Sequence, residues 1–289
     1  MVWMNDIFFS GNGTTSAVEL LIDCLGLKHH ILNNNNLHHE DPSSIHAKPV
    51  IFVGPFEHHS NLLPWRELGH VDIEMVRLDP VTGHVDVQHL QALLEKYASR
   101  TVKIGTFSAA SNLTGAIADD ITITALLHQH GALSIWDYAT GASYLDIQMN
   151  PRHANYSHAP ELLAKDAIVF SGHKLLGGVG TPGVLIIKKH LVSQQNPPSR
   201  SGGGTVFYVT ADHHRFLSNR VERFEGGTPN IVGIWRLGLA LTAKVQLKKQ
   251  FERLAIKESI PAIHQEKNTL LSYDLLRAKK IQHELSRIP

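Results

Sequence analysis

The 289-residue sequence predicts an α/β protein with a mostly parallel sheet flanked by helices. Three observations carry this. Short β-rich runs alternate with helical patterns along most of the chain. Apolar residues make up 43% and charged residues 18%, which permits a packed core and argues against global disorder. Polar clusters follow one short strand after another, as they do where an open sheet carries a site at its carboxyl edge.

The elements follow in order. Ser16 to Leu25 reads as a helix, with Val18, Leu21, Ile22 and Leu25 on one face and Gly26 to stop it. Residues 28–48, rich in asparagine and histidine, hold four successive asparagines and a Pro-Ser-Ser cluster. They have no periodicity to bury and read as an irregular loop. Val50 to Val53 and Ile73 to Leu78 are strand candidates. Asp86 can cap a helix running to about Ser99, with Leu90, Leu93, Leu94 and Tyr97 on its face. Val102 to Phe107 is the next strand, and Asp120 to Gln129 a helix stopped near Gly131. Leu133 to Trp136, Ala167 to Phe170 and Val184 to Ile187 are three further strands. Residues 193–205 form a loop, and the tail is helical from about Trp235. Its apolar positions are Leu237, Leu241, Ala243, Val245, Phe251 and Leu254.

Composition excludes several classes. The net charge is +1 with histidine neutral, and no basic stripe points to nucleic acid. No apolar stretch reaches membrane-spanning length, and the first residues lack the pattern of a signal peptide. Cys24 is the single cysteine, so no internal disulfide forms and a cytoplasmic or otherwise intracellular setting is expected. Its position in the first helix marks it as a buried structural thiol. Histidine occurs 20 times, but neither HExxH nor CxxC is present and no metal site is expected. His38-His39-Glu40 reads as solvated loop.

Glu57, His58, His59 and Asn61 follow the Val50–Val53 run. Ser111 and Asn112 follow Val102–Phe107, and Asp137 follows Leu133–Trp136. Ser171, His173 and Lys174 follow Ala167–Phe170. Alone, each has a plainer role: a hydrogen-bonded histidine, a helix-capping aspartate. Together they point to a site. A lysine held and partly desolvated at a sheet edge has a lowered pKa and becomes an amine nucleophile. A lysine Schiff base with an aspartate on the pyridinium nitrogen is the protein half of pyridoxal phosphate chemistry. An imidazole such as His58 can stack on the ring. Gly13, Thr14 and Thr15 precede the first helix, where backbone N–H groups and hydroxyls suit a phosphate. Helix capping is the plainer reading of the two threonines.

The stretches GTTSAVELLI, EHHSNLLPW, SNLTGAI, HQHGALSIWD, SGHKLLGGVGTPGVL and RFEGGTPN occur in the order and spacing of a known family. From about Phe8 to Leu241 the chain resembles the class V aminotransferases of the fold type I pyridoxal-phosphate superfamily, which includes the cysteine desulfurases. The resemblance implies pyridoxal 5'-phosphate as cofactor, with Lys174 holding it as a Schiff base. It implies Asp137 on the pyridine nitrogen, His58 on the ring face and Asn112 near the ring oxygen. Thr14, Thr15, Ser171 and His173 would hold the phosphate. Gly227-Thr228-Pro229, otherwise a turn, would bring Thr228 to the phosphate of a partner subunit, which implies a homodimer with shared sites. Thr140 stands where desulfurases carry glutamine, so the resemblance implies an altered ring-oxygen contact. Residues 1–235 correspond to the cofactor-binding large domain and 236–289 to the helical start of an incomplete carboxyl-terminal domain. That domain carries the desulfurase cysteine in the family, so desulfurase activity is not expected of this chain. The expected function is that of a class V aminotransferase-like enzyme acting on an amino acid or related small amine. The alternative is a truncated cofactor-binding member that is catalytically inert. A histidine-rich metal protein is a distant third reading.

Overall fold

The computed structural model describes residues 4–29, 48–194 and 196–257. The Asn- and His-rich stretch around His38-His39-Glu40 and the chain beyond Lys257 lie outside the described residues. Seven strands form one sheet: β1 (Asn5–Ser10), β2 (Val50–Val53), β3 (Asp72–Met75), β4 (Lys103–Ser108), β5 (Leu133–Asp137), β6 (Ala167–Ser171) and β7 (Gly183–Lys188). Their spatial order is β1-β7-β6-β5-β4-β2-β3. The run from β3 to β6 is parallel, and β7 is antiparallel to both β6 and β1. The sheet is therefore mostly parallel, as the alternation of elements predicts.

Period-2 alternation builds two cores. Ile51, Val53, Ile104, Ile135, Val169, Leu185 and Ile187 face one way and pack with Ala17, Val18 and Leu21 of α1 (Gly13–Cys24). Val50, Phe52, Phe107, Trp136, Ile168, Phe170 and Val184 face the other way. They meet Leu90 and Leu94 of α3 (Val87–Lys96) and Ile123 and Leu127 of α4 (Asp120–Gln129). A single turn, α2 (Leu63–Arg66), lies between β2 and β3 and buries Trp65. Asp86 caps α3 as expected, its carboxylate accepting the His89 N–H at 2.9 Å. Gly26, at φ +74°, follows the end of α1.

The structure corrects several boundaries. α1 already begins at Gly13, so Thr14 and Thr15 belong to its first turn rather than to the segment before it. The strand expected to reach Leu78 stops at Met75. β1 and the hairpin β8 (Val206–Val209) with β9 (His214–Phe216) were not anticipated. The tail helix α6 (Ile231–Lys257), preceded by α5 (Arg220–Phe224), starts before Trp235. Among the described residues no helix is long and apolar enough to cross a membrane.

Candidate active site

The parallel strands deliver their polar residues to one edge of the sheet. α1 meets that edge with its amino terminus. Its N-cap, Asn12, makes no side-chain cap and its first turn holds no acidic residue. The positive end of the helix is thus left available to an anion. The Thr14 N–H donates to Ser171 Oγ at 2.9 Å, and the Thr14 and Ser171 hydroxyls lie 2.9 Å apart. Gly13 has φ +66°. A side chain there would meet His173 Cε1 at 2.6 Å and Ser171 Oγ at 2.8 Å. Thr15 Oγ1 lies 2.7 Å from Ser60 Oγ, and His58 Nδ1 accepts the Ser60 N–H at 3.1 Å. Gly13, Thr14, Thr15, Ser171 and His173 are therefore gathered, with His58 linked to them through Ser60. Hydroxyls, an imidazole and a helix terminus form a donor set that fits a phosphate.

Asp137 ends β5 and is 4% exposed. Burial pushes its carboxyl up to about 6, while the Ala139 N–H, at 2.7 Å, and the Lys174 charge oppose the rise. A buried carboxyl in this position is completed by a cationic hydrogen-bond donor, and a protonated ring nitrogen is one. Lys174 lies on the one-turn 3₁₀ segment Gly172–Lys174 after β6. Its backbone carbonyl accepts the Ser143 hydroxyl at 2.7 Å. The glycines behind it let the loop fold tightly: a side chain at Gly178 would sit 2.0 Å from the Gly172 carbonyl oxygen. The Lys174 side chain itself is exposed, which corrects the expectation that the strand end desolvates it. Burial, the Lys174 charge and His59 lower the pKa of His58, whose side chain is also exposed.

A second buried network adjoins Asp137. Glu57 accepts the Ser108 N–H at 2.7 Å, the Ser108 hydroxyl at 2.9 Å and the Asn61 amide at 2.5 Å. Asn61 in turn accepts the Thr106 hydroxyl at 2.8 Å. Ser108 pairs with Asp137 across the sheet. Glu57 and Asn61 are visible in the sequence as polar residues after β2. Thr106 and Ser108 sit inside a strand, and their two-residue spacing on one face is the signal that could have found them.

Among the described residues, Asn112, Thr140 and Thr228 share no hydrogen bond with Asp137, Lys174 or the α1 terminus. Asn112 is exposed in the loop after β4. Thr140 is half-buried at the start of the 3₁₀ turn Gly141–Ser143 and makes no capping bond. Thr228 lines a 270 Å³ cleft with Ser10, Gly11, Asp23, Arg200 and Glu225. Cys24 is fully buried in α1, and burial first, then the nearby Asp23, pushes its thiol well above the ordinary range. It is no candidate nucleophile. Among the described residues no three histidine, cysteine, aspartate or glutamate side chains are grouped to hold a metal.

Comparison with known proteins gives the family and the fold. The family model "Aminotransferase class-V" matches residues 7–287. A cysteine desulfurase of Enterobacter sp. (strain 638) is 32% identical over 231 residues, covering 79% of this chain and 49% of the relative. A cysteine desulfurase of Escherichia coli O139:H28 is 32% identical over 232 residues with the same coverage. The chain thus spans about half the length of the curated relatives it matches. Among solved structures, the cysteine desulfurase CsdA of Escherichia coli, in an S-sulfonic acid form, superposes with a TM-score of 0.62 at 26% identity. That match covers 82% of this chain and 51% of the other. The apo cysteine desulfurase of Thermococcus onnurineus NA1 has the same fold, with a TM-score of 0.64 at 24% identity over 91% of this chain and 61% of that one. The chain belongs to the class V aminotransferases, a family whose members use pyridoxal 5'-phosphate.

Proposed function

We infer that this chain supplies the cofactor-binding part of a class V aminotransferase-like enzyme acting on an amino acid or related small amine. Lys174 is the covalent anchor of pyridoxal 5'-phosphate. The observation that carries the reading is the buried Asp137 carboxyl, its charge opposed by Lys174, at the same edge of the sheet as an uncapped helix terminus lined by Thr14, Ser171 and His173. When bound, the cofactor supplies an electron sink for negative charge developing beside an amine nitrogen.

The residues then divide the work. The first turn of α1, Thr14, Thr15, Ser171 and His173 hold the phosphate. Asp137 keeps a proton on the ring nitrogen. His58 would cover one ring face, and Asn112 and Thr140 would serve the ring oxygen. Lys174 Nζ would take a proton from the substrate α-carbon and return one to the product. Thr228 reaches the phosphate of a second copy, so the working unit is a homodimer with shared sites. Cys24 takes no part, and desulfurase chemistry is not assigned to this chain's own cysteine.

The test is the visible absorption of purified protein with added pyridoxal phosphate, before and after borohydride, beside Lys174→Ala. The expected result is a band that borohydride removes in the wild type and that Lys174→Ala lacks. A folded wild-type protein without such a band refutes the anchor. A band together with no turnover of any amine tried would leave a cofactor-binding protein that is catalytically inert.

A further inference from the structure

One titratable group at the site, half-buried with its carboxyl enclosed by hydrogen-bond donors, has no part in the chemistry above. Glu57 directly precedes His58 and lies against the end of β4. Both of its carboxylate oxygens are occupied: Oε1 by the Ser108 N–H, Oε2 by the Ser108 hydroxyl and the Asn61 amide. Asn61 is fully buried and anchored again by the Thr106 hydroxyl. The chain makes room for this carboxyl, since a side chain at Gly54 would meet Glu57 Oε1 at 2.6 Å. Residues 58–60 are therefore a short loop pinned at both ends to one strand. That strand is paired with β5, and Ser108 is the register partner of Asp137.

Such an arrangement is costly unless it does something. Burial pushes the Glu57 carboxyl up to about 7, against the hydrogen bonds from Asn61 and Ser108, and the Asp137 charge pushes the same way. A loop of this length could be closed by an apolar contact at lower cost. The network instead fixes a direction. It locates the backbone of residue 58 relative to the strand end that carries Asp137.

We propose that Glu57 is a positioning residue that clamps the His58 loop to the end of β4, beside Asp137, and so sets the imidazole over the cofactor ring. The proposal rests on the reading of Lys174 as cofactor anchor. Glu57 touches neither ring nor substrate. It acts through His58, whose ring is otherwise held from within its own loop by Ser60.

Two measurements on the full chain test it. Hydrogen exchange of residues 54–62 and Ser108 is followed without cofactor. Pyridoxal phosphate affinity and the induced circular dichroism of its bound band are measured with cofactor. Glu57→Ala is expected to speed exchange in the loop by roughly tenfold while β6 and α4 stay unchanged. It should also weaken cofactor binding by roughly tenfold and diminish the dichroic band. Glu57→Gln can keep the Ser108 N–H bond and replace the other two with bonds donated by its amide, once the Asn61 amide and the Ser108 and Thr106 hydroxyls turn over, and it should restore both. A loosened loop with unchanged affinity and dichroism overturns the proposal and leaves Glu57 a structural brace. Unchanged exchange overturns it as well. Should Glu57→Ala fail to fold, Ser108→Ala removes one of the three bonds. It is expected to weaken binding by roughly threefold with a reduced band, and no change in either overturns the clamp. A wild type with no reducible band refutes the Lys174 anchor itself, and the ring-setting role falls with it.

Discussion

At the scale of single residues, Asp137 sets stability against function. Its carboxyl is pushed up from 3.8 to about 6 by burial. The folded chain therefore binds this proton more tightly than the unfolded chain does. The sign of the linkage follows: this group lowers the stability of the cofactor-free protein as pH rises from about 4 through about 6. The loss amounts to about 1–3 kcal/mol, as an order of magnitude, once the carboxylate is ionised. Asp137→Asn keeps an acceptor for the Ala139 N–H but has no charge to bury. Cofactor-free Asp137→Asn should therefore be the more stable protein at about pH 8, by about 1–3 kcal/mol in urea unfolding. It should also bind pyridoxal phosphate at least about tenfold more weakly, because the ring nitrogen loses its anionic partner. A variant that is less stable at that pH, or that binds cofactor as the wild type does, would contradict the assignment.

Elements are joined by polar residues whose protonation the packing dictates. His128, in the last turn of α4, places Nδ1 2.8 Å from the Leu162 carbonyl and Nε2 2.9 Å from Asp166. Asp166 also accepts the Ser134 N–H at 2.8 Å, which ties α4 to the starts of β5 and β6. Both ring nitrogens face acceptors, so the imidazolium satisfies the site and the neutral ring cannot. Burial works to lower the His128 pKa, but the hydrogen bond and charge of Asp166 outweigh it, and the result is a rise above 6.5. The stabilisation is thus complete below the unfolded value and disappears as pH rises through the folded one. Wild type should exceed His128→Gln by about 1–2 kcal/mol near pH 6, and the gap should close as pH rises. A gap constant across that range would mean the ring is held neutral. Elements of this kind were also the legible ones. Asp86 and α3, Asp120–Gln129 and the central strands could be read because their apolar periods answer to a core nearby in the sheet. β1 could not, because it opens on Asn5-Asp6 and leaves Ile7 49% exposed, its register being set by β7 far along the chain. The β8–β9 hairpin was hidden because Phe207, Tyr208 and Val209 are all exposed and show no alternation. The site divides in the same way. Lys174 and Asp137 are legible because each follows an apolar strand directly. The exposure of Lys174, and the carboxyl network reaching back into β4, depend on how neighbouring strands are brought together.

At the scale of the whole molecule, the fold leaves two features that one chain does not use. Val232, Trp235 and Leu239 of α6 are each about 70% exposed or more, and Val179 of the Lys174 loop is 73% exposed. Apolar surface of this kind is what a partner covers. Thr228 lies in a cleft whose lining does not include Lys174. The proposed symmetric dimer would account for both, since a two-fold axis can bring the Thr228 of one copy to the phosphate site of the other. Mixing two defective chains decides between sharing and self-sufficiency. Lys174→Ala cannot anchor cofactor, and Thr228→Ala should anchor it weakly. In a mixed dimer with shared sites, one site combines both substitutions and the other combines Lys174 from one chain with Thr228 from the second. That second site is intact. Equal amounts unfolded and refolded together should therefore recover about a quarter of the wild-type high-affinity sites. Neither chain should recover any when refolded alone. If Thr228 instead served the site of its own chain, every Lys174-bearing site in the mixture would still carry the Thr228→Ala defect, and recovery would be nil.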